Sequence, residues 1–171
     1  MDAETLRALQ APLKQRYLED GEQALIRLRA SGRLGEGIAC RVDTARGIQE
    51  AGLRVQPGGD GSQLCSGDML LEALVACAGV TLNAVATALG IDLRDATVSA
   101  EGEIDSRGTL GISRDVPVGF RDLRLTFELD TDAPQASIDK LVQLTERYCV
   151  VLQTLRAAPA VAVTVTRGRE P

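Results

Sequence analysis

The sequence predicts an α+β domain, and three observations carry that expectation. Residues 67 to 89 form a long, alanine-rich apolar run closed by Gly90, which reads as a central buried helix about 35 Å long. Val98, Ala100, Gly102 and Ile104 alternate with polar residues, as do Leu123, Leu125, Phe127 and Leu129. That period of two marks a pair of half-buried strands in a shared antiparallel sheet. A second helix, opened at Asp132-Ala133-Pro134, presents Ile138, Leu141, Val142, Thr145, Cys149 and Leu152 on one face. Helices and strands are segregated along the chain, which separates α+β from α/β.

The remaining elements follow from the same rules. Leu6, Leu9 and Leu13, then Ala24, Leu25 and Leu28, recur at helical spacing, so residues 1–31 are expected to be a helical extension, with Pro12 starting its second helix. Gly32 and Gly35 punctuate its end, and residues 32–171 form the domain proper. Ile38, Cys40 and Val42 alternate as one strand, and Ala51, Leu53 and Val55 as another. The glycine-rich loop at 57–62 has no Lys-Ser/Thr pair and no strand-then-helix context, so it is not a phosphate loop. Ser66 is the expected N-cap of the central helix, and Asp68 sits where a helix start favours negative charge. Val161, Val163 and Val165 make a closing strand.

Composition narrows the function. The 171 residues suffice for one cored domain. A net charge of -5 argues against a general nucleic-acid surface, and four aromatic residues, Tyr17, Phe120, Phe127 and Tyr148, are too few for base-stacking platforms. The N-terminal residues carry acids and no apolar core, unlike a secretory signal. The central run is interrupted by Glu72, Thr81, Asn83 and Thr87, which reads as a buried soluble helix rather than a membrane span. The expected location is the cytoplasm, where cysteines are reduced and serve as core residues, ligands or reactive thiols.

The four cysteines are Cys40, Cys65, Cys77 and Cys149, and the chain has no histidine and no Cys-x-x-Cys pair. A zinc site lacks its usual spacing, and neither metal nor cofactor is expected. Taken alone, Cys77 and Cys149 each read as small residues packed in a helix core. Cys65 precedes a helix start, where the dipole lowers a thiol pKa. A reactive Cys77 needs its thiolate held without imidazole. An arginine is the expected partner, with Arg33, Arg41, Arg46 and Arg147 as candidates and Glu146 as a carboxylate to orient it.

Residues Gly67-Asp68-Met69-Leu70-Leu71-Glu72-Ala73-Leu74-Val75-Ala76-Cys77, Tyr148-Cys149-Val150-Val151 and the closing valine strand, in this order, resemble the OsmC/Ohr superfamily over about residues 33 to 166. The resemblance implies an intertwined homodimer whose antiparallel sheets wrap the cysteine helix, with two active sites at the interface. It implies a peroxidatic Cys77, a resolving Cys149 and an arginine from an early Gly-Arg turn, matched by Arg33. It further implies organic hydroperoxides as substrates and a lipoylated protein or small dithiol as reductant. Gly67 stands where Ohr-like members carry a glutamate, and Val150 where proline often follows the second cysteine. The competing expectations are a non-catalytic stress or binding protein on the same fold, or a disulfide redox sensor.

Overall fold

The computed structural model describes residues 2–25, 31–34, 39–44, 47–55 and 59–167; for residues 21–22, 31–34, 39–44 and 47 it describes the backbone alone. Helix α1, Ala3–Glu19, starts at Asp2, whose carboxylate accepts from the Thr5 N–H at 2.8 Å. Pro12 lies inside this helix rather than starting another. The whole stretch is solvent-facing, so water can take the carbonyl that proline leaves unpaired. The helix stops at Glu19, well short of residue 31. Asp20 turns extended, a 3-10 turn covers Gly21–Ala24, and Ser31–Leu34 is already strand β1.

Strands β1, β2 (Ala39–Thr44) and β3 (Gly47–Gly52) pair antiparallel, and the short β4 (Leu64–Cys65) joins β3 in parallel. The strand expected through Leu53 and Val55 ends at Gly52. Beyond it the Arg54 carbonyl accepts from the Gly59 N–H at 2.8 Å, closing a loop instead of extending the ladder. A Cβ at position 52 would meet the Gln63 side-chain oxygen at 1.9 Å, so Gln63 would have to swing aside.

The central helix α2 spans Ser66–Leu89. Cys65, not Ser66, is its N-cap, and it makes no side-chain capping bond. The helix ends where Gly90 adopts φ 68°, a left-handed conformation that costs glycine little, and the Gly90 N–H bonds the Ala86 and Thr87 carbonyls. Strands β5 (Asp95–Ile104) and β6 (Phe120–Asp130) form the expected antiparallel hairpin, with Val98 opposite Phe127 and Ala100 opposite Leu125. The short helix α3, Ser106–Thr109, lies between them.

Helix α2 packs between this hairpin and α4, Gln135–Tyr148, with α5, Val150–Arg156, completing the layer. Leu74, Ala78, Leu82 and Ala86 recur every fourth residue and are its buried stripe. They divide into two clusters, one around Leu74, Ala78 and Cys149, the other around Leu82, Ala86 and Leu141. Val98 and Phe127 touch both. Leu74 and Leu141, 1% and 0% exposed, each contribute about 1.5–3 kcal/mol by burial.

Three expectations need correction. The central helix was expected to be packed closely on both sides; it lies against the hairpin and α4, its buried stripe follows one face, and Val80 is 73% exposed. It is long and apolar enough to cross a membrane by length and composition, but it is packed here as a core helix. The second cysteine helix does not run unbroken to Leu152; it breaks at Cys149. Val161, Val163 and Val165 form no strand, pair with no element among the described residues, and are 82–85% exposed. A strand exists only where a neighbour shares its hydrogen bonds, and among the described residues this segment has no such neighbour.

Candidate active site

Cys77 lies on α2 immediately before the buried Ala78, half-buried and turned toward α5, while Cys149 is fully buried. Cys77 packs against the buried cluster that contains Cys149, and each thiol acts on the other's protonation. Val98, Leu125, Phe127, Leu152 and Leu155 close an apolar shell around them.

The break at Cys149 creates the site. Helix α4 runs regularly to Tyr148, and then Cys149 takes φ -70° and ψ 105°, an extended conformation. Its N–H still bonds the Thr145 carbonyl at 2.9 Å and its carbonyl accepts from the Gln153 N–H at 2.9 Å, so one residue ends α4 and begins α5. The first N–H groups of any helix lack intrahelical partners. No side chain caps α5, and the N–H groups of Val150 and Val151 favour the Cys77 thiolate.

These donors decide the thiol chemistry. Burial disfavours the Cys77 thiolate, but the Val151 N–H, the Cys149 thiol and the Val150 N–H all favour it. The Thr81 hydroxyl adds to them from the next turn of α2, where it also reaches the Cys77 carbonyl at 2.7 Å. The Cys77 pKa falls below the ordinary thiol value. Cys149 moves the other way, because burial raises its pKa and the Cys77 thiolate beside it adds to the rise. The pair therefore has one nucleophile and one proton-bearing partner.

The other expected site residues fall into place unevenly. Arg33 lies in β1, opposite Arg41 in β2, and its side chain is outside the described residues, as is all of Arg46. Arg147 stacks over the Tyr148 ring, 5.6 Å from its centroid. Glu146 pairs with Arg156 of α5 at 2.9 Å, and its carbonyl accepts from the Gln153 amide at 2.7 Å. It orients a helix rather than an arginine held at the sulfur. The Val150 and Val151 N–H groups are what the sequence reading missed. Backbone donors carry no residue signature, and only the absent histidine hinted that something else must hold the thiolate.

Cys65 has a separate environment at the start of α2. Burial raises its pKa, but the Asp68 and Gly67 N–H groups and the Arg54 guanidinium outweigh it and bring the pKa below the ordinary value. Arg54 also pairs with Asp68. This group opens on a cavity of about 710 Å³ bounded by Leu71, Ile104, Val118 and Phe120. A Cβ built on Gly67 would lie 3.5 Å from both Cys65 Sγ and the Phe120 ring. A second cavity, about 630 Å³, lies at the far end of α2, and neither is lined by Cys77 or Cys149.

No curated protein matches this chain. Solved structures with the same fold include an OsmC-like protein from Mycoplasma pneumoniae at 18% identity and a TM-score of 0.65, covering 78% of this chain and 89% of that one. The organic hydroperoxide resistance protein OsmC from Legionella pneumophila matches at 20% identity and a TM-score of 0.59, over 78% and 91%. The organic hydroperoxide resistance protein OhrB of Bacillus subtilis matches at 16% and 0.54, over 78% and 93%. The model of the OsmC-like protein family matches residues 59–164, which take in α2 with Cys77, the β5–β6 hairpin and the break at Cys149, and the chain belongs to that family.

Proposed function

We propose that the protein is a thiol-dependent peroxidase that reduces organic hydroperoxides. The observation that carries this reading is the contact between a Cys77 favoured as thiolate and a Cys149 favoured as thiol, enclosed by apolar side chains. The Cys77 thiolate attacks the distal oxygen of ROOH; the O–O bond breaks, an S–O bond forms, and the alkoxide leaves as ROH after taking a proton. The product is a Cys77 sulfenic acid. The Cys149 sulfur then displaces its hydroxyl, giving the Cys77–Cys149 disulfide and water, with the Cys149 proton completing the water. A dithiol, either lipoyl on a carrier protein or a small molecule, restores both thiols by exchange and is itself oxidised to a disulfide.

Arg33, delivered by β1, is our candidate for the guanidinium that meets the peroxide. We further propose a homodimer. Val80, Val161, Val163 and Val165 are apolar and exposed, unsuited to water and suited to burial against a second copy, which would also enclose Cys77. The thiol chemistry suits the cytoplasm, where a reductant is maintained. With Gly67 in the position of the family's glutamate, a disulfide sensor without turnover is the second reading.

The test is consumption of cumene hydroperoxide with dihydrolipoamide as reductant. Steady turnover that is lost in Cys77→Ser supports the enzyme. A disulfide that forms once and is not recycled by either dihydrolipoamide or dithiothreitol would leave the sensor reading.

A further inference from the structure

We propose that Gln153 is a positioning residue: its side-chain amide replaces a missing helical hydrogen bond on the Glu146 carbonyl, and so releases the Val150 N–H to face the Cys77 sulfur. This rests on the reading of Cys77 as the reacting thiol.

In an unbroken helix the Glu146 carbonyl would accept from the N–H four residues on, which is Val150. Here the extended Cys149 ends that pattern after its own N–H has bonded Thr145, and the Gln153 Nε2 donates to the Glu146 oxygen instead, at 2.7 Å. The exchange leaves the Glu146 carbonyl satisfied. Arg156, at the far end of α5, holds the same residue through its side chain, Nη1 to Glu146 Oε2 at 2.9 Å. Glu146 is thus gripped twice from α5, once on its backbone and once on its carboxylate.

A seven-residue helix joined through one extended residue has little direction of its own. On its inner side α5 is seated by Val151, Leu152 and Leu155 against the core. On its outer side, the Gln153 and Arg156 contacts tie it to α4. Without them, the regular alternative is for Val150 to return to Glu146 and for α4 to continue, which withdraws a donor from Cys77. The groups facing the Cys77 sulfur from α4 and α5 are the Cys149 thiol and these N–H groups, and Thr81 faces it from α2. The shell residues of β5 and β6, Val98, Leu125 and Phe127, are apolar and bring no charge.

The experiment is the pH profile of iodoacetamide alkylation at Cys77, read by site-resolved mass spectrometry on the full-length protein kept reduced with a phosphine. Gln153→Leu keeps the bulk and removes the donor; Gln153→Lys supplies a donor again. In Gln153→Leu the midpoint is expected to rise, making alkylation at pH 7 about three- to tenfold slower, with Cys65 unchanged. Gln153→Lys should recover most of the loss. Arg156→Gln, which leaves the amide bond in place, should shift the midpoint the same way by less, and it serves as the test if Gln153→Leu does not fold.

An unchanged Cys77 midpoint in folded Gln153→Leu, or no recovery in Gln153→Lys, would overturn the proposal, as would a wild-type Cys77 that titrates like a free thiol. Because alkylation needs no peroxide, a midpoint that shifts as expected in a protein without peroxide turnover would sink the enzyme reading alone.

Discussion

Two cysteines, one capping the start of α2 and one within it, are made acidic by different means. Cys65 stands at the helix start, where Gly67 and Asp68 N–H groups point outward from the first turn and Arg54 supplies a full charge. Cys77 lies twelve residues on, about 18 Å along the axis, where every N–H of its own helix is already used. Its donors come from another helix, α5, which the break at Cys149 has opened. The first device is local and partly exposed; the second is built by tertiary packing and has a second thiol in contact. A depressed thiol pKa alone therefore does not mark the redox centre. In the proposed mechanism the contact with Cys149 does, because a sulfenic acid needs a nearby sulfur to be resolved.

The comparison is most severely tested by removing each thiol. Cys77→Ser is expected to reduce hydroperoxide turnover to background, while Cys65→Ser should leave it within about twofold, since among the described residues Cys65 has no partner thiol in contact. Equal losses in both would mean that the cavity at the helix start takes part in the reaction. Next in size, Cys149→Ser should still give one rapid oxidation of Cys77 but no disulfide. Dimedone trapping of a persistent Cys77 sulfenic acid is the readout, and sustained turnover in this variant would remove Cys149 from the resolving role.

Truncating the shared core separates structure from chemistry. Leu74→Ala beneath the Cys77–Cys149 pair should lower stability by about 2–5 kcal/mol, measured by urea unfolding. Arg54→Gln should raise the alkylation midpoint of Cys65 and leave that of Cys77 in place. The sign follows from the guanidinium, which favours the thiolate; without it, a higher pH is needed to remove the proton. The smallest effect is that of salt. Raising ionic strength should move Cys65 upward by a few tenths of a pH unit and Cys77 by less, because the full charge of an exposed guanidinium is screened and short-range backbone dipoles are screened far less.

The sequence and the structure agree where a pattern is local. The alternation in β5 and β6 is set residue by residue by the pleat, and the left-handed Gly90 ends α2 where it was expected to. They disagree where two local choices compete. The apolar spacing of Leu141, Thr145, Cys149 and Leu152 fits a continuous helix, and the residues around Cys149 contain no glycine or proline to forbid it. The break arises because Cys77 and the Gln153 amide offer the displaced groups other partners. The valine segment differs for another reason: its alternation describes a strand, but a strand also needs an edge to pair with.

Sequence alone determined the class of the fold, the helix that bears Cys77, the inward face that bears Cys149 and the absence of any imidazole to activate either. These follow from periodicity and residue type, which act over a few residues. It did not determine what holds the thiolate. That depends on which backbone N–H groups are left unbonded and where they point, and a backbone amide is chemically the same at nearly every position. Only packing α5 across α2, with Glu146 gripped from both ends, turns two of those common groups into the partners of one sulfur.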